Sequence, residues 1–310
     1  MGEAVWFFSM GEGVHHVSRD VYTRVEALFS PEPEGWSVDG YPVTRCRDAW
    51  GHTHRFLRTR TLVSYDYAAY LPVLRERFAG ADLAGEVTWH AGDNAPDRVL
   101  TAHTIGDVPS GVFCPSRPEV LRNLLESLED HAAALGLEGW RALPEATHWS
   151  GSCHGGNPAD LSRYPSMLVD VELGSTPEAW ENPRAQEALA RSLLEALRPR
   201  PRMVHLLCLG GVHFEPSFAE GATDRSRDLG LGHVLPNQWV VSGRYEDEDG
   251  PAKLDAAAAS VQGGVDAVVY HEGLKGCYRQ LCRDLGARLA VPVWKHRGMR
   301  KGQKRAEENC

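Results

Sequence analysis

Hydrophobic residues fall in short runs of strand length that alternate with stretches of helical period. Strands are expected at Val5–Phe8, Thr61–Tyr65, Val99–Thr104, Met167–Leu173, Met203–Leu209, Asp266–Tyr270 and Leu289–Val293, most of them Val- and Leu-rich and bounded by Gly or Pro. Helices are expected at Val17–Leu28, Pro118–Leu135, Pro183–Leu197, Leu254–Val261 and Tyr278–Leu289. In the second of these, Leu121, Leu124, Leu125 and Leu128 share one face, with Pro118 near the start and Gly136 just past the end. Met167–Leu173, Pro183–Leu197 and Met203–Leu209 have the proportions of one strand, helix, strand crossover. Near-continuous apolar strands such as Val204–Leu209 imply burial on both faces. The pattern therefore predicts an α/β fold in a single domain over residues 1–293.

Charge adds a second feature. The chain has 310 residues, with 33 Lys plus Arg against 42 Asp plus Glu and a net charge of −9, which argues against non-specific coating of nucleic acid. A local basic surface is still available. Residues 294–310 carry Lys295, Arg297, Arg300, Lys301, Lys304 and Arg305 with almost nothing apolar to bury, so a disordered basic tail able to touch phosphates is expected. No apolar window approaches the roughly 18 residues of a membrane span. Acidic Glu3 precedes the first apolar run, so that run reads as a strand and not as a signal peptide, and a cytoplasmic location is expected. The 7 cysteines contain no CxxC pair, which disfavours a disulfide framework or a thiolate zinc knuckle.

The candidate chemistry lies in the 14 histidines. Several stand at or just past expected strand ends, in loops with glycine or small polar residues: His90, His103, His148, His154, His213 and His233, with Glu172 ending the Met167–Val171 run. Ligands of open α/β sheets bind at the carboxyl ends of strands, so these groups can converge although far apart in sequence. Taken singly, each is as readily a surface or satisfied core histidine. Taken together, imidazole and carboxylate are the usual non-thiolate ligands of zinc, which lowers the pKa of a bound water to about 7. In Leu209-Gly210-Gly211-Val212-His213-Phe214-Glu215-Pro216 the two glycines allow close backbone approach, and their N–H groups are candidates to hold a carbonyl oxygen or phosphate. A plain turn after a buried strand would look the same. No P-loop, GxSxG elbow or GxGxxG occurs, and a Cys153 nucleophile with His148 or His154 as base stays open as a weaker reading.

With those residues in view, the chain resembles the archaeal and plant type of metal-dependent D-aminoacyl-tRNA deacylase. The matching stretches run in order. They are Asp39-Gly40-Tyr41-Pro42-Val43, Tyr65-Asp66-Tyr67, Leu100 to Asp107, Glu145-Ala146-Thr147-His148, Pro165-Ser166 through Val171-Glu172-Leu173-Gly174-Ser175 to Trp180, Leu209 to Pro216, Gly232-His233-Val234-Leu235-Pro236, and Gly273-Leu274-Lys275-Gly276 with Arg279. The resemblance implies a central mixed sheet with helices on both faces, similar to the phosphorylase and peptidyl-tRNA hydrolase folds. It also implies hydrolysis of the ester between a D-amino acid and the tRNA 3′ end. His103, His148, Glu172, His213 and His233 lie on the family's motif positions. His148, Glu172 and His213 are the expected zinc ligands, with His103 or His233 handling protons and Gly210 and Gly211 supplying oxyanion donors. His90 and His154 are further candidates. The tRNA contacts are expected at Lys275, Arg279, Lys295, Arg297, Arg300 and Lys301.

Three departures from the family pattern cluster near the expected pocket. Trp149 and a longer segment, Ser150–Arg163, stand where a second His followed by Gly-Pro is usual, and His154 could replace that His by a register shift. His271-Glu272-Gly273 replaces Trp-Lys-Gly, and Asp107 replaces Asn. The expected activity is zinc-dependent hydrolysis of an aminoacyl-tRNA ester. Two rivals are an aminoacyl transferase or small-molecule ester or amide hydrolase of the same lineage, and a non-catalytic tRNA- or metal-binding protein.

Overall fold

Strand β1 (Glu3–Ser9) shows how the first apolar run is used: Ala4, Trp6 and Phe8 enter one core and Val5 and Phe7 the other, all of them buried. A strand buried on both faces must be central. The computed structural model describes residues 1–92 and 95–300. After β1 come α1 (Val17–Phe29), β2 (Glu32–Val38), β3 (Tyr41–Arg47), β4 (Thr53–Thr59), α2 (Tyr67–Arg77), β5 (Leu83–His90), β6 (Arg98–Thr104), and the short β7 (Gly106–Asp107) and β8 (Val112–Phe113). Next are α3 (Pro118–Ala134), β9 (Arg141–Pro144), β10 (Met167–Ser175), α4 (Pro177–Trp180), α5 (Pro183–Leu193) and β11 (Val204–Leu209). The chain continues with α6 (Pro216–Thr223), β12 (Leu229–Leu235), α7 (Asn237–Ser242), α8 (Gly250–Ala259), β13 (Ala267–Tyr270), α9 (Gly276–Leu289), β14 (Val293–Lys295) and α10 (His296–Arg300).

An eight-stranded mixed sheet has the order β2-β3-β4-β1-β5-β10-β6-β9, and a parallel four-stranded sheet the order β12-β11-β13-β14. The leucines of α3 and the alanine-rich face of α5 pack with α1 against one face of the large sheet. The other face holds α2. One apolar cluster continues from β1, α1, α3 and α5 into β11, β12 and β13, so the two sheets share a core. The expected α/β class, with a mixed sheet and helices on both faces, is what the fold shows. No helix among the described residues is long and apolar enough to cross a membrane.

On the α2 face the sheet changes character along its strands. Ala84 of β5 and Leu168 of β10 are apolar, whereas Glu86, Thr88 and His90, then Asp170 and Glu172, and Thr101 and His103 of β6 continue the same face with polar groups. Register aligns Asp170 with Glu86 on one side and His103 on the other, and Glu172 with Thr88 and Thr101. The polar half of this face is the floor of the site.

Three expected elements need correction. Thr61–Tyr65 is a turn, because the buried Glu86 carboxylate accepts the amides of Val63 (2.5 Å) and Ser64 (3.0 Å), and the strand lies upstream as β4. Leu289–Val293 divides: α9 ends at Leu289, Ala290 turns through the left-handed region (φ 54°), and β14 follows. Part of the expected tail is structured, since Val293–Lys295 pairs with β13 and Met299 of α10 is buried against Gly221. Residues 301–310 lie outside the described residues.

His205 at the start of β11 faces Glu119 of α3 (Nε2 to Oε1, 2.6 Å), which raises the imidazole above its ordinary value of 6.5, and burial only partly opposes the rise. A raised folded-state value contributes stability that is complete below 6.5 and is lost as pH rises through the folded value. His205 is buried but its partner Glu119 is partly exposed, so solvent screening makes the effect modest. Replacing His205 by Gln should flatten that alkaline-side decline in thermal midpoint, with the Glu119→Gln variant behaving alike.

Candidate active site

The segment Glu145-Ala146-Thr147-His148 is a seam between the two sheets. Glu145 N–H donates to Ala102 O, Ala146 N–H to His213 O (3.0 Å), Thr147 N–H to Val234 O (2.8 Å), and His148 O accepts from Gly106 N–H. Backbone pairing to both sides fixes where Glu145 and His148 project. Both line a cavity of about 440 Å³ with Leu62, Tyr65, Thr88, Trp89, His90, Ala91, Ser150, Glu172 and His213.

Two donor groups meet there. In the first, Glu145 Oε1 lies 3.4 Å from His90 Nε2 and 3.8 Å from His148 Nε2, and it contacts His213 Nε2 directly. In the second, His103 Nε2 lies 3.4 Å from Glu172 Oε1 and 3.8 Å from Asp170 Oδ2, with the His148 ring stacked on His103 at 3.9 Å. Within each of the sets His90, Glu145, His213 and His103, His148, Glu172, the donor atoms all lie within 4.8 Å of one another.

Charge is distributed unevenly. The histidines around Glu145 hold its carboxyl well below the usual range despite burial. Burial, together with the neighbouring carboxylates, pushes Glu172 and Asp170 well above theirs. Burial holds His103 down to about 4 and His148 to about 3, the stacked pair resisting a second proton, so both rings are neutral. His148 Nδ1–H donates to Ala146 O (2.9 Å) and His103 Nδ1–H to Thr104 O (3.3 Å). Each Nε2 therefore presents a lone pair toward carboxylate oxygen. For His148 facing the ionised Glu145 this is lone pair against lone pair, and on β10 the crowded carboxyls resist ionising; a cation among these donors would relieve both. Four imidazoles and two carboxylates form the mixed nitrogen and oxygen set that suits zinc. The donor set fits a metal.

Of the expected ligands, His148 and Glu172 come together, while His213 belongs to the other group with His90. His103, expected as a proton carrier, joins the ligand candidates. His233 does not reach the cavity. It is buried between the sheets, its Nε2–H donating to Ser260 Oγ (2.9 Å) and its Nδ1 2.9 Å from the Thr104 hydroxyl. Burial holds it neutral, down to about 3, and its hydrogen bonds link β12 to Thr104 of β6 and to Ser260 after α8. Of the expected oxyanion donors, Gly210 is already engaged. Its N–H donates to Leu235 O (2.8 Å), and Val212 N–H to Glu215 Oε2 (3.2 Å). The glycines serve the turn itself, with φ of 91° at Gly210 and 74° at Gly211, where a Cβ would lie 2.5 Å from the Glu215 carboxylate.

Sequence reasoning passed over Glu145, although it stands three residues before His148. It also passed over Trp239, whose ring lies 5.7 Å from His148 and 5.4 Å from His213. Trp239 follows the end of β12, so the strand-end rule applied to every residue type would have found it. Cys153 is exposed, and His154 stacks on Tyr65 at 3.6 Å, outside both donor groups.

The departures from the family pattern are physically connected. The Trp149 ring is buried under the turn Ser150–His154, where Cβ atoms at Gly151 and Gly156 would come within 2.4 Å of it. Asp107 Oδ1 accepts from Ser152 Oγ (2.7 Å), so the changed residue at 107 holds the longer segment. Glu272 pairs with Arg297 (2.7 Å) and Lys295 (3.7 Å), which neutralises part of the expected tRNA surface. Arg279 Nη1 donates to Glu272 O, and Lys275 stays exposed. The Arg300 side chain and Lys301 lie outside the described residues.

The fold and site define an α/β protein with a metal-competent histidine and carboxylate cluster at its strand ends. A model of the D-aminoacyl-tRNA deacylase family matches residues 79–294, more than two thirds of the chain. The chain is 32% identical over 198 residues to the D-aminoacyl-tRNA deacylase of Haloarcula marismortui, covering 58% of this chain and 40% of that protein. It is 30% identical over 157 residues to the enzyme of that name from Pyrococcus furiosus, covering 49% of this chain and 50% of that one. The chain thus spans about half the length, or less, of these curated relatives. In fold it is similar to the crystal structure of a conserved protein of unknown function, AF0625, with a TM-score of 0.73, 15% identity and 97% of each chain covered. The chain belongs to the D-aminoacyl-tRNA deacylase family.

If His233 is a structural fastener, His233→Ala should lower stability by about 1–3 kcal/mol, the cost of stranding buried polar partners. Denaturant titration measures that loss. Metal content of the folded variant should match the parent protein, and a loss of metal with unchanged stability would return His233 to the site.

Proposed function

We propose that this chain hydrolyses the ester joining a D-amino acid to the 3′ end of tRNA, with zinc held by the histidine and carboxylate cluster. The observation that carries the reading is the pair of donor groups, of which His90, Glu145, His148, Glu172 and His213 line one cavity with His103 buried behind them, in a chain of this family. His90, Glu145 and His213 would hold one ion, and His103, His148 and Glu172 a second or the same ion displaced. When bound, the metal supplies a Lewis acid and lowers the pKa of water. The chain's own part is orientation and exclusion. Backbone carbonyls of Thr104 and Ala146 fix the tautomers of His103 and His148. Ser175 Oγ, 2.9 Å from His90 Nδ1, steadies the third ring. Trp239 walls one side of His148 and His213, and Leu62 and Trp89 give the cavity apolar lining against which an aminoacyl group can rest. The basic residues Lys275, Arg279, Lys295 and Arg297 would meet tRNA phosphates, with Glu272 weakening two of them.

Incubation of the zinc-loaded protein with D-aminoacyl-tRNA should release free D-amino acid. His148→Ala and His213→Ala should each cut that release by about 100-fold or more, in line with the loss seen when a metal's supporting residues are removed. Zinc content of both variants, measured by elemental analysis, should fall with activity. Intact zinc and unchanged release in both would end the hydrolase reading, and an aminoacylated product other than free amino acid would favour the transferase.

A further inference from the structure

Tyr65 and His154 form a ring stack that neither the fold nor the metal cluster requires. Their centroids are 3.6 Å apart and the planes 26° from parallel. Tyr65 lines the same cavity as Glu172 and His213, and His154 is exposed at its rim. The arrangement is built and held. Trp149 is buried beneath the turn, Gly156 N–H closes it on Gly151 O (2.9 Å), Ser152 binds Asp107, and Leu161 is fully buried farther along the segment. A turn anchored at both ends costs little further ordering when it receives a ligand.

We propose that the Tyr65–His154 stack is a platform for the terminal nucleobase of the substrate, an adenosine ester, seated at the cavity rim. The inference rests on the reading of the cavity as an aminoacyl-tRNA ester site. With the ester at the cluster on the floor, the ribose leads outward and the base follows it to the rim, where a preformed aromatic surface meets a planar group of any sequence context. The aminoacyl side chain is a poorer occupant, because it differs between substrates and many have no ring to stack. Burial, and after it the nearby carboxyl groups of Glu86 and Glu172, raises the Tyr65 phenol above its ordinary value, as a place beside the donor groups requires.

The test compares three esters of one D-amino acid: its tRNA, its adenosine ester and its methyl ester. Stacking is worth about 1–3 kcal/mol per base, so Tyr65→Ala should raise KM roughly 5- to 150-fold for the first two substrates. KM for the methyl ester, which carries no base, should stay within about twofold, and Tyr65→Phe should restore KM for the other two by keeping the ring. His154→Ala should show the same division at lower amplitude. Equal losses on all three esters, or no loss on the base-bearing pair, would overturn the platform. If the parent protein cleaves none of them, the hydrolase reading fails by itself. Adenosine monophosphate titrated into the protein and followed by aromatic proton shifts then decides the platform: saturable shifts lost in Tyr65→Ala sustain it, and no shifts refute it.

Discussion

The burial of the Glu145 carboxylate governs the site. An ionised carboxylate out of water is costly unless charge or hydrogen-bond donors surround it; here His90, His213 and the Thr101 hydroxyl donate to it, while neutral His148 turns its Nε2 lone pair toward it. Those histidines come from the end of β5, the seam before Trp149 and the turn after β11. One buried charge therefore ties both sheets together at a single point. Its contrast with Glu172 and Asp170 explains why the cluster is poised for a cation. Histidines serve Glu145 well, while the two carboxylates on β10 sit near each other with His103 beside both and, among the described residues, no Lys or Arg paired with them.

The same constraint explains where the α2 core ends. Apolar packing on that face stops where Ala84 and Leu168 give way to Glu86, Asp170 and Glu172. Glu86 is stabilised by taking the amides of Val63 and Ser64, which turns the chain after β4 and brings Tyr65 to the cavity. A single buried carboxylate thus converts an expected strand into the turn that shapes the rim. Polar residues behind the site specify its geometry, and helices on the opposite face, packed through Leu121, Leu124, Leu189 and their neighbours, supply the stability that tolerates them.

Much of this was legible in the chain because strands and amphipathic helices announce themselves by period. β1, β6, β10, β11 and β13 were visible as Val- and Leu-rich runs, and α3 by its leucine spacing. The strands β2, β3 and β4 were not, since Pro, Arg and Thr interrupt any alternation and their pairing is settled by neighbours far along the chain. β5 and β12 hid for another reason. Gly85 lies where the Trp6 ring crosses the strand, and Gly230 and Gly232 lie against Pro118 and Val261, so close packing demanded residues that weaken the strand signal. The site was legible as a set of strand-end histidines but not as a partition. Which imidazole faces which carboxylate depends on register between strands, and register moved His90 and His103 into the donor groups and His233 out.

The altered segment after His148 follows the same logic. Read along the sequence, Trp149, the long Ser150–Arg163 stretch and Asp107 are three separate departures from the family pattern. In space they are one adaptation: Trp149 fills the volume beneath the turn, two glycines let it do so, and Asp107 fastens Ser152. The donor groups beside it stay complete without a second histidine following His148, because His90 and His213 reach Glu145 from other strands. The change therefore falls on the rim of the cavity and leaves its floor intact. Variation at that rim bears on which substrate enters, whereas the chemistry available at the floor is set by residues whose placement the two sheets jointly determine.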